Sequence, residues 1–545
     1  MMPVRRVAAH PRGAWMASPA ALLALAAAWL AALAWVRPLT LPDEGRYAGV
    51  AWEMLRGGQF AVPLLDGMPY FHKPPLYYWM AAAAMHVFGL HEWAARLPSL
   101  LAAWAAAAGL YAFARRYRGA DAARVVLGVL ATMPLFFGGA QFANLDMLVA
   151  GLIALCTLAG ADTVLRRAQG RPHRAMSLAA AALAALAVLA KGLIGVVLPG
   201  AALALWLALR RDARGLRALL WPPAIVLFGA IAVPWFWLMQ ARYPGFLDYF
   251  FVYQQFQRFA AQGFNNAQPF WFYLPVLAGL TLPWSLWGGG LLRAHFWQTA
   301  PDDPDGLRRL MGAWLAVVVL FFSLPASKLV GYVLPALPPL AFLLAEVVQR
   351  ARARDPAADA LHGRLAVAGA MLAAAACVVA VNVAAGRPRG SAREAAAQMR
   401  PEMAAGDVVV SLHAYPFDLG FYAALRAPVW VVDDWDGSRV ARHDNWRKEL
   451  YDAGRFAPQA GRDVLVSPRE WQRRLCAAPA GTRYWVWGEH GDEGAYAPLA
   501  GLAPRYADSR RRVWLLQAGD AFSRLCAGRP TAGSPGTSAP PRRPG

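Results

Sequence analysis

The run Met16–Val36, MASPAALLALAAAWLAALAWV, is followed at once by Leu41-Pro42-Asp43-Glu44-Gly45-Arg46-Tyr47. A spanning helix needs about 20 mostly apolar residues. The run supplies them without a charged side chain. It is too long and too alanine-rich for a cleaved signal, and no small-residue cleavage site follows. It therefore reads as a retained first helix, and the Asp43-Glu44 pair falls at the membrane surface.

Further apolar runs begin near Ala94, Ala122, Gln141, Ala175, Leu193, Ala218, Phe270, Leu310, Leu329 and Leu365. Together they predict an α-helical polytopic membrane protein of about 11–13 transmembrane helices, with a C-terminal α/β domain. Composition agrees. The 545 residues are 58% hydrophobic and only 16% charged, whereas a soluble chain carries about 25% charged residues. The apolar residues lie in long blocks, which excludes a disordered or fibrous chain.

The formal net charge is +21. In a soluble protein this would point to nucleic acid. Here the arginines cluster between spans: Arg5, Arg6 and Arg12; Arg115, Arg116, Arg118 and Arg124; Arg166, Arg167, Arg171 and Arg174; Arg210, Arg211, Arg214 and Arg217; Arg308 and Arg309; Arg350, Arg352, Arg354 and Arg364. All fall on one side if the N-terminus is cytoplasmic. The expected partner is the lipid bilayer and not nucleic acid. The expected place is a bacterial inner membrane, with an outer loop at 37–93, a second at 242–268, and the tail after about Ala385 on the periplasmic side.

That gives three parts: a membrane domain over 1–385, an outer α/β domain over 386–527, and a disordered Gly/Pro/Ser/Thr-rich tail over 528–545. In the tail domain Asp407–Leu412, Pro428–Val432, Asp463–Ser467, Tyr484–Trp487 and Arg512–Gln517 read as strands. Asn445–Ala453 and Pro468–Cys476 read as helices. The four cysteines form no CxxC, so there is no zinc or redox motif. Cys476 and Cys526 share the outer domain and can pair there or stay as two free thiols.

The first outer loop holds most of the candidate chemistry. Asp43 can orient or deprotonate an acceptor or bind a cation. On spacing alone, Asp43 or Glu44 serves equally as a helix N-cap. Tyr47, Tyr70 and Lys73 can assemble a phosphate site, lysine as a point charge and tyrosine as a directional donor. The bland readings are a snorkelling lysine and an interfacial aromatic belt. Asp146, Lys191, Lys328 and Tyr332 lie at the outer ends of apolar segments, where charge is costly. Arg258 lies in the second outer loop. All these cations are predicted on the same face as Asp43. That convergence is what a site for a lipid-linked anion needs.

The ordered motifs PDEGRYAGVAWEML, PYFHKPPLYYW, FANLDM, AKGLIG, FQRF and SKLVGYVLPALPPLA resemble the GT-C glycosyltransferases of the aminoarabinose transferase (ArnT) and protein O-mannosyltransferase group. The similarity runs from about Thr40 to Leu343. It implies a glycosyltransferase, transferring a hexosyl or pentosyl group from a polyprenyl (undecaprenyl) phosphate carrier to lipid A or another periplasmic acceptor. It implies Asp43 and Asp146 as catalytic carboxylates. It implies Tyr47, Tyr70, Lys73, Arg258, Tyr332 and Lys328 around the donor phosphate, with Glu44 and Lys191 as further cavity residues. No metal ligand is assigned. No cofactor is required, although a divalent cation is compatible. The stretch Tyr253-Gln254-Gln255-Phe256-Gln257 departs from the pattern, with glutamines where many relatives show His and Glu.

Other readings differ in what they require. A protein or other-glycan O-glycosyltransferase needs the same donor site. A lipid-linked-sugar flippase also needs intramembrane charges, but favours inverted repeats, and none is visible. A non-enzymatic scaffold would make Asp43 and Lys73 replaceable.

Overall fold

The computed structural model describes residues 18–257, 266–298, 303, 305–353, 355–386, 390–440, 444–519 and 526. The tail 528–545 and the arginines at 5, 6, 12 and 354 lie outside the described residues. Among those described, six helices are long and apolar enough to cross a membrane: Glu92–Arg118, Leu145–Ala168, Arg174–Lys191, Pro222–Arg242, Val330–Arg352 and Pro356–Ala385. Some present large apolar side chains outward, such as Val226 (70% exposed), Trp237 (70%) and Met371 (64%). Lipid, not water, tolerates such a surface. The chain is a multi-pass membrane protein.

The other expected spans are shorter or broken. Ala120–Thr132 and Pro134–Ala140 form one pair bent by 68°, because Pro134 cannot continue the hydrogen-bond ladder. Of the described part of the Met16–Val36 run, Pro19–Ala31 is helical, capped by Ser18. Beyond it the chain turns so that Arg37 enters the interior. Ile194–Arg210 and Leu307–Ser323 are 17 residues each. The run from Phe270 breaks into Tyr273–Leu280 and a 3-10 stretch, Trp284–Leu292, around Pro283 and the glycines at 288–290.

Leu145–Ala168 is the central helix, packed against Glu92–Arg118 and Arg174–Lys191. Gly151 makes one of these contacts possible. A Cβ there would lie 2.6 Å from the Ala102 carbonyl oxygen, so only glycine admits the neighbouring backbone.

The arginine-rich helix ends gather at one end of the bundle and are tied together by acids. Asp162 accepts from Arg116, Tyr117 and Arg166 at 2.6–2.7 Å. Glu346 joins Arg118 (2.8 Å) to Arg308 (2.6 Å), and Arg167 pairs with Asp212 at 2.8 Å. Asp146 opens the same helix that Arg166 and Arg167 close. At 1.5 Å per residue it lies about 30 Å away, at the opposite end.

The described residues form two compact units. One takes Met1–Arg393 together with Pro416–Arg426 and Asp452–Ala457. The other takes Glu394–Tyr415, Ala427–Tyr451 and Pro458–Gly545. Two short segments from the region read as an outer domain thus pack with the helical unit.

The second unit is built on a six-stranded sheet. With β1 (Leu64–Leu65) and β2 (Met68–Pro69) forming a small hairpin in the first unit, its strands are β3 (Val408–Leu412), β4 (Trp430–Val432), β5 (Leu465–Val466), β6 (Arg483–Glu489), β7 (Tyr506–Ala507) and β8 (Arg511–Gln517). Their order is β5-β4-β3-β6-β8-β7. The first four are parallel, and β8 runs antiparallel to β6 and β7. All five expected strands are present, as is the helix Pro468–Cys476. Val410, Val486, Trp471 and Trp514 lie in its core. Cys476 and Cys526 are joined as a disulfide.

Candidate active site

The first-loop acids separate into two roles. Glu44 is fully buried and accepts six hydrogen bonds: two from Arg37, two from Arg96, and one each from the Thr40 and Ala143 backbone N–H groups. Burial alone would raise its carboxyl. The Arg96 and Arg37 guanidiniums outweigh that and hold it at about 2. Arg96 also donates to the Ala34, Arg37 and Pro38 carbonyls at 2.5–3.0 Å. Glu44 therefore bolts the loop to the helix Glu92–Arg118 and to the turn before Leu145, and has no lone pair left for a ligand.

Asp43 opens the helix Asp43–Gly57, which has no side-chain cap. Neither acid serves as the N-cap that spacing alone allowed. Asp43 is 38% exposed and takes Arg46 on Oδ1 at 3.1 Å. Its Oδ2 accepts no hydrogen bond among the described residues. One oxygen is held and the other is open, which suits a carboxylate that must meet a ligand.

Tyr47 stands one turn beyond Asp43 on the same face. It is buried, with Tyr77 and Tyr78 at 5.8 and 6.1 Å between ring centres. Burial pushes its phenol well above the usual range, and the charges of Asp43 and Asp146 push it further. Tyr47 thus stays a neutral phenol able to donate.

Asp146 follows Asn144, whose side chain caps the Asp146 N–H at 2.7 Å. Its carboxylate pairs with the Lys191 ammonium. That ammonium also sits 4.3 Å from the centre of the Tyr332 ring, a cation–π contact. Gly331 makes room for the pair, since a Cβ there would lie 2.9 Å from Asp146 Oδ2. Lys191 ends its helix at Gly192 (φ +100°), where a Cβ would come 2.8 Å from Gln255 Nε2. Gln255 donates to the Lys191 carbonyl at 3.4 Å.

Gln255 belongs to a π-helix, Asp248–Gln257, a geometry frequent at functional sites. Its Tyr249 lies 6.0 Å from His72, and His72 stacks on Tyr70 at 4.7 Å. Phe71 is held edge-on by Tyr243, Phe246 and Phe456. Tyr249 also donates to Asp452 at 3.3 Å. Tyr70 is buried and Lys73 half-buried. Contacts link Tyr47 to the Tyr70–Tyr78 segment, that segment to the π-helix, and the π-helix to Lys191 and Asp146; with Asp43 these residues make up a ring around Tyr47 that charge, not contact, completes between Asp146 and Tyr47.

Two predicted residues are not part of this ring as described. Arg258 lies outside the described residues. Lys328 is buried and donates to the Gln268 carbonyl at 2.9 Å and to the Pro325 carbonyl. With Lys328 N to Asn266 O at 3.1 Å, it braces two loop strands. Among the described residues no three His, Cys, Asp or Glu side chains gather as a metal-ligand group.

Sequence reasoning missed Arg37, Arg96, Arg46 and Gln255. Arg96 had a usable signal: it is an arginine inside a helix that is otherwise apolar up to its basic end. Gln255 had none, because its partner Lys191 is 64 residues away, and Arg37 reads as an ordinary basic residue at the end of an apolar run.

Known proteins can now be set beside this geometry. Residues 72–237 match the family described as dolichyl-phosphate-mannose-protein mannosyltransferase. The undecaprenyl phosphate-alpha-4-amino-4-deoxy-L-arabinose arabinosyl transferase of Pseudomonas paraeruginosa is 32% identical over 62% of this chain and 61% of its own length. The Sodalis glossinidius enzyme of that name, numbered 1, is 35% identical over 57% of this chain and 55% of its own. The matches thus span under two thirds of these relatives. The crystal structure of ArnT from Cupriavidus metallidurans bound to undecaprenyl phosphate superposes with a TM-score of 0.78, over 93% of this chain and 98% of that one, at 24% identity. The chain has the fold of ArnT. The resemblance read from the ordered motifs is borne out by these matches. Within the ArnT fold, the ring around Tyr47 occupies the end of the bundle opposite the arginine clusters.

Proposed function

We propose that this chain is a membrane glycosyltransferase that moves a sugar from a polyprenyl-phosphate carrier to an acceptor, with its site in the ring around Tyr47. One observation carries the reading. Asp146 is paired to Lys191, and Lys191 rests on the Tyr332 ring, at the end of the bundle remote from the paired arginines. The ArnT fold and the names of the relatives support the donor class.

The chemistry follows from the groups present. The acceptor oxygen bonds to the anomeric carbon as the carbon–oxygen bond to the carrier phosphate breaks. The electron pair leaves with polyprenyl phosphate. Lys73, Arg258, Tyr70 and Tyr332 stabilise that growing negative charge. Asp43 takes the proton of a hydroxyl acceptor through its open Oδ2. With a phosphate acceptor little deprotonation is needed, and Asp43 instead balances oxocarbenium-like charge. Asp146 orients the sugar through its pairing with Lys191. Glu44 is a structural acid, and Lys328 a loop brace.

The relatives' names favour 4-amino-4-deoxy-L-arabinose as the sugar, and the reading extends to lipid A as acceptor. The match to a protein mannosyltransferase family favours a protein acceptor as the second reading. We place the arginine end in the cytoplasm, following the positive-inside rule. The ring and the sheet unit then face the periplasm of a bacterial inner membrane. The Cys476–Cys526 disulfide suits that oxidising side.

The test is purified protein in detergent, given a polyprenyl-phosphate aminoarabinose or mannose donor with lipid A or a peptide. Transfer to lipid A that is lost in Asp43→Asn supports the first reading. Transfer to peptide alone selects the second. Full activity in Asp43→Asn and in Lys191→Met defeats the assigned site.

A further inference from the structure

The helix that carries Asp43 and Tyr47 has a second face. Gly45 and Gly49 stand one turn apart on it, in GRYAG. A Cβ on Gly45 would lie 3.0 Å from the Asp418 backbone nitrogen, and one on Gly49 would lie 2.9 Å from the Phe417 carbonyl oxygen. Beside the Leu41 side chain, which a Gly45 Cβ would meet at 2.5 Å, these obstacles are backbone, which cannot swing aside. The two glycines therefore let the segment 416–426 lie directly on the helix, as small residues do wherever two backbones approach closely.

That segment is fastened along the length of the helix. Leu39 N–H donates to the Tyr422 hydroxyl at 2.8 Å, and the hydroxyl donates to Glu92 at 3.1 Å. The Leu425 carbonyl accepts Trp52 Nε1 at 3.2 Å and Arg56 Nη1 at 2.8 Å. Asp418 is fully buried, and its Oδ2 accepts Ser391 Oγ and the Ala392 N–H, both at 2.9 Å. In the middle, the Arg46 guanidinium lies 4.9 Å from the centre of the buried Phe417 ring. The same guanidinium holds Asp43 Oδ1 at 3.1 Å.

We propose that the segment 416–426 is a positioning element of the transferase site, with Phe417 fixing Arg46 so that Arg46 fixes Asp43. This rests on the reading of Asp43 as the reactive carboxylate. An arginine has several rotatable bonds, and a salt bridge that is part-exposed does not by itself immobilise it. A ring face beneath the guanidinium removes that freedom and leaves the arginine's donors for the acid. Asp43 then presents its other oxygen in one orientation, and effective positioning of this kind is worth large factors in rate.

The experiment compares Phe417→Leu, Phe417→Trp, Arg46→Met and Phe417→Leu/Arg46→Met in the full-length protein, with Asp43→Asn alongside. Leucine keeps the packing but removes the π face, and tryptophan restores it. The expected result for Phe417→Leu is a fall in kcat of about tenfold, in line with one cation–π contact, with the donor KM held. Phe417→Trp recovers most of the rate. Phe417→Leu costs nothing further once Arg46 is Met. Thermal unfolding of Phe417→Leu near that of the wild type shows that folding is intact. Wild-type kcat in Phe417→Leu, equal loss in Leu and Trp, or multiplying losses in the double variant overturns the inference, while loss in Asp43→Asn leaves the site reading standing. Wild-type activity in Asp43→Asn instead removes the reading beneath it, and the inference with it.

Discussion

The Lys191 ammonium pairs with Asp146 and rests 4.3 Å from the centre of the Tyr332 ring. One cation thus joins three separate parts of the chain at the end of the central helix. Lys191→Met leaves Asp146 part-buried and unpaired. We expect kcat to fall by about 10²-fold, the scale for losing one preorganised charge. The double variant with Asp146→Asn should lose less than the product of the single losses, because the two residues act as a pair. Steady-state transfer assays on the four proteins check this. Independent, multiplying losses would show that the pair does not act as a unit.

Glu44 lies next to Asp43 in sequence but serves stability. Removing one partner of a buried charge cluster costs about 3–5 kcal/mol, so Glu44→Gln should lower the unfolding temperature sharply. A pH signature accompanies it. The folded carboxyl is held at about 2, below its ordinary value of 4.5. Its stabilisation is therefore complete above about pH 4.5 and drains away as pH falls towards 2. Thermal unfolding in detergent across that window should drop more steeply for the wild type than for Glu44→Gln. Parallel curves would count against the linkage.

These two acids show how far the sequence could be read. The apolar runs and the arginine clusters are local patterns, and they placed the helical bundle and the end where Asp43 and Asp146 sit. The five core strands were legible because β-branched and aromatic runs alternate with turn residues. The division of labour between Asp43 and Glu44 was not legible. It is decided by Arg96, 52 residues beyond Glu44, and by Arg37 turning inward at the start of the expected outer loop. Lys328 looked like its fellow cations because spacing does not show that two carbonyls already hold it. The contact of the 416–426 segment with Gly45 and Gly49 was equally hidden, since it joins positions more than 360 residues apart.

The Cys476–Cys526 disulfide spans a sequence separation of 50. Closing a loop of that length removes denatured-state freedom worth about 4 kcal/mol in the chain-entropy account. Cys526→Ser, or reduction of the wild type, should lower the unfolding temperature of the sheet unit. Transferase activity at low temperature should persist, because neither cysteine belongs to the ring around Tyr47. Non-reducing mass analysis with differential thiol labelling checks the pairing first. Two labelled thiols in protein isolated without reductant would refute it.

Lys73 and Lys328 separate binding from bracing. Lys328 donates to the Gln268 and Pro325 carbonyls from a buried position. Lys328→Met leaves those carbonyls without a donor, at about 1–3 kcal/mol. Its unfolding temperature should fall while the donor KM stays near the wild-type value. Lys73 sits in the Pro-aromatic loop just before the helix Leu76–Phe88, whose Tyr77 and Tyr78 contact Tyr47. We place it on the carrier phosphate, so Lys73→Met should raise the donor KM by about tenfold or more, as expected for losing a charged hydrogen bond. Measuring both quantities on both variants tests the division directly. A raised KM in Lys328→Met with unchanged stability would return Lys328 to the phosphate site.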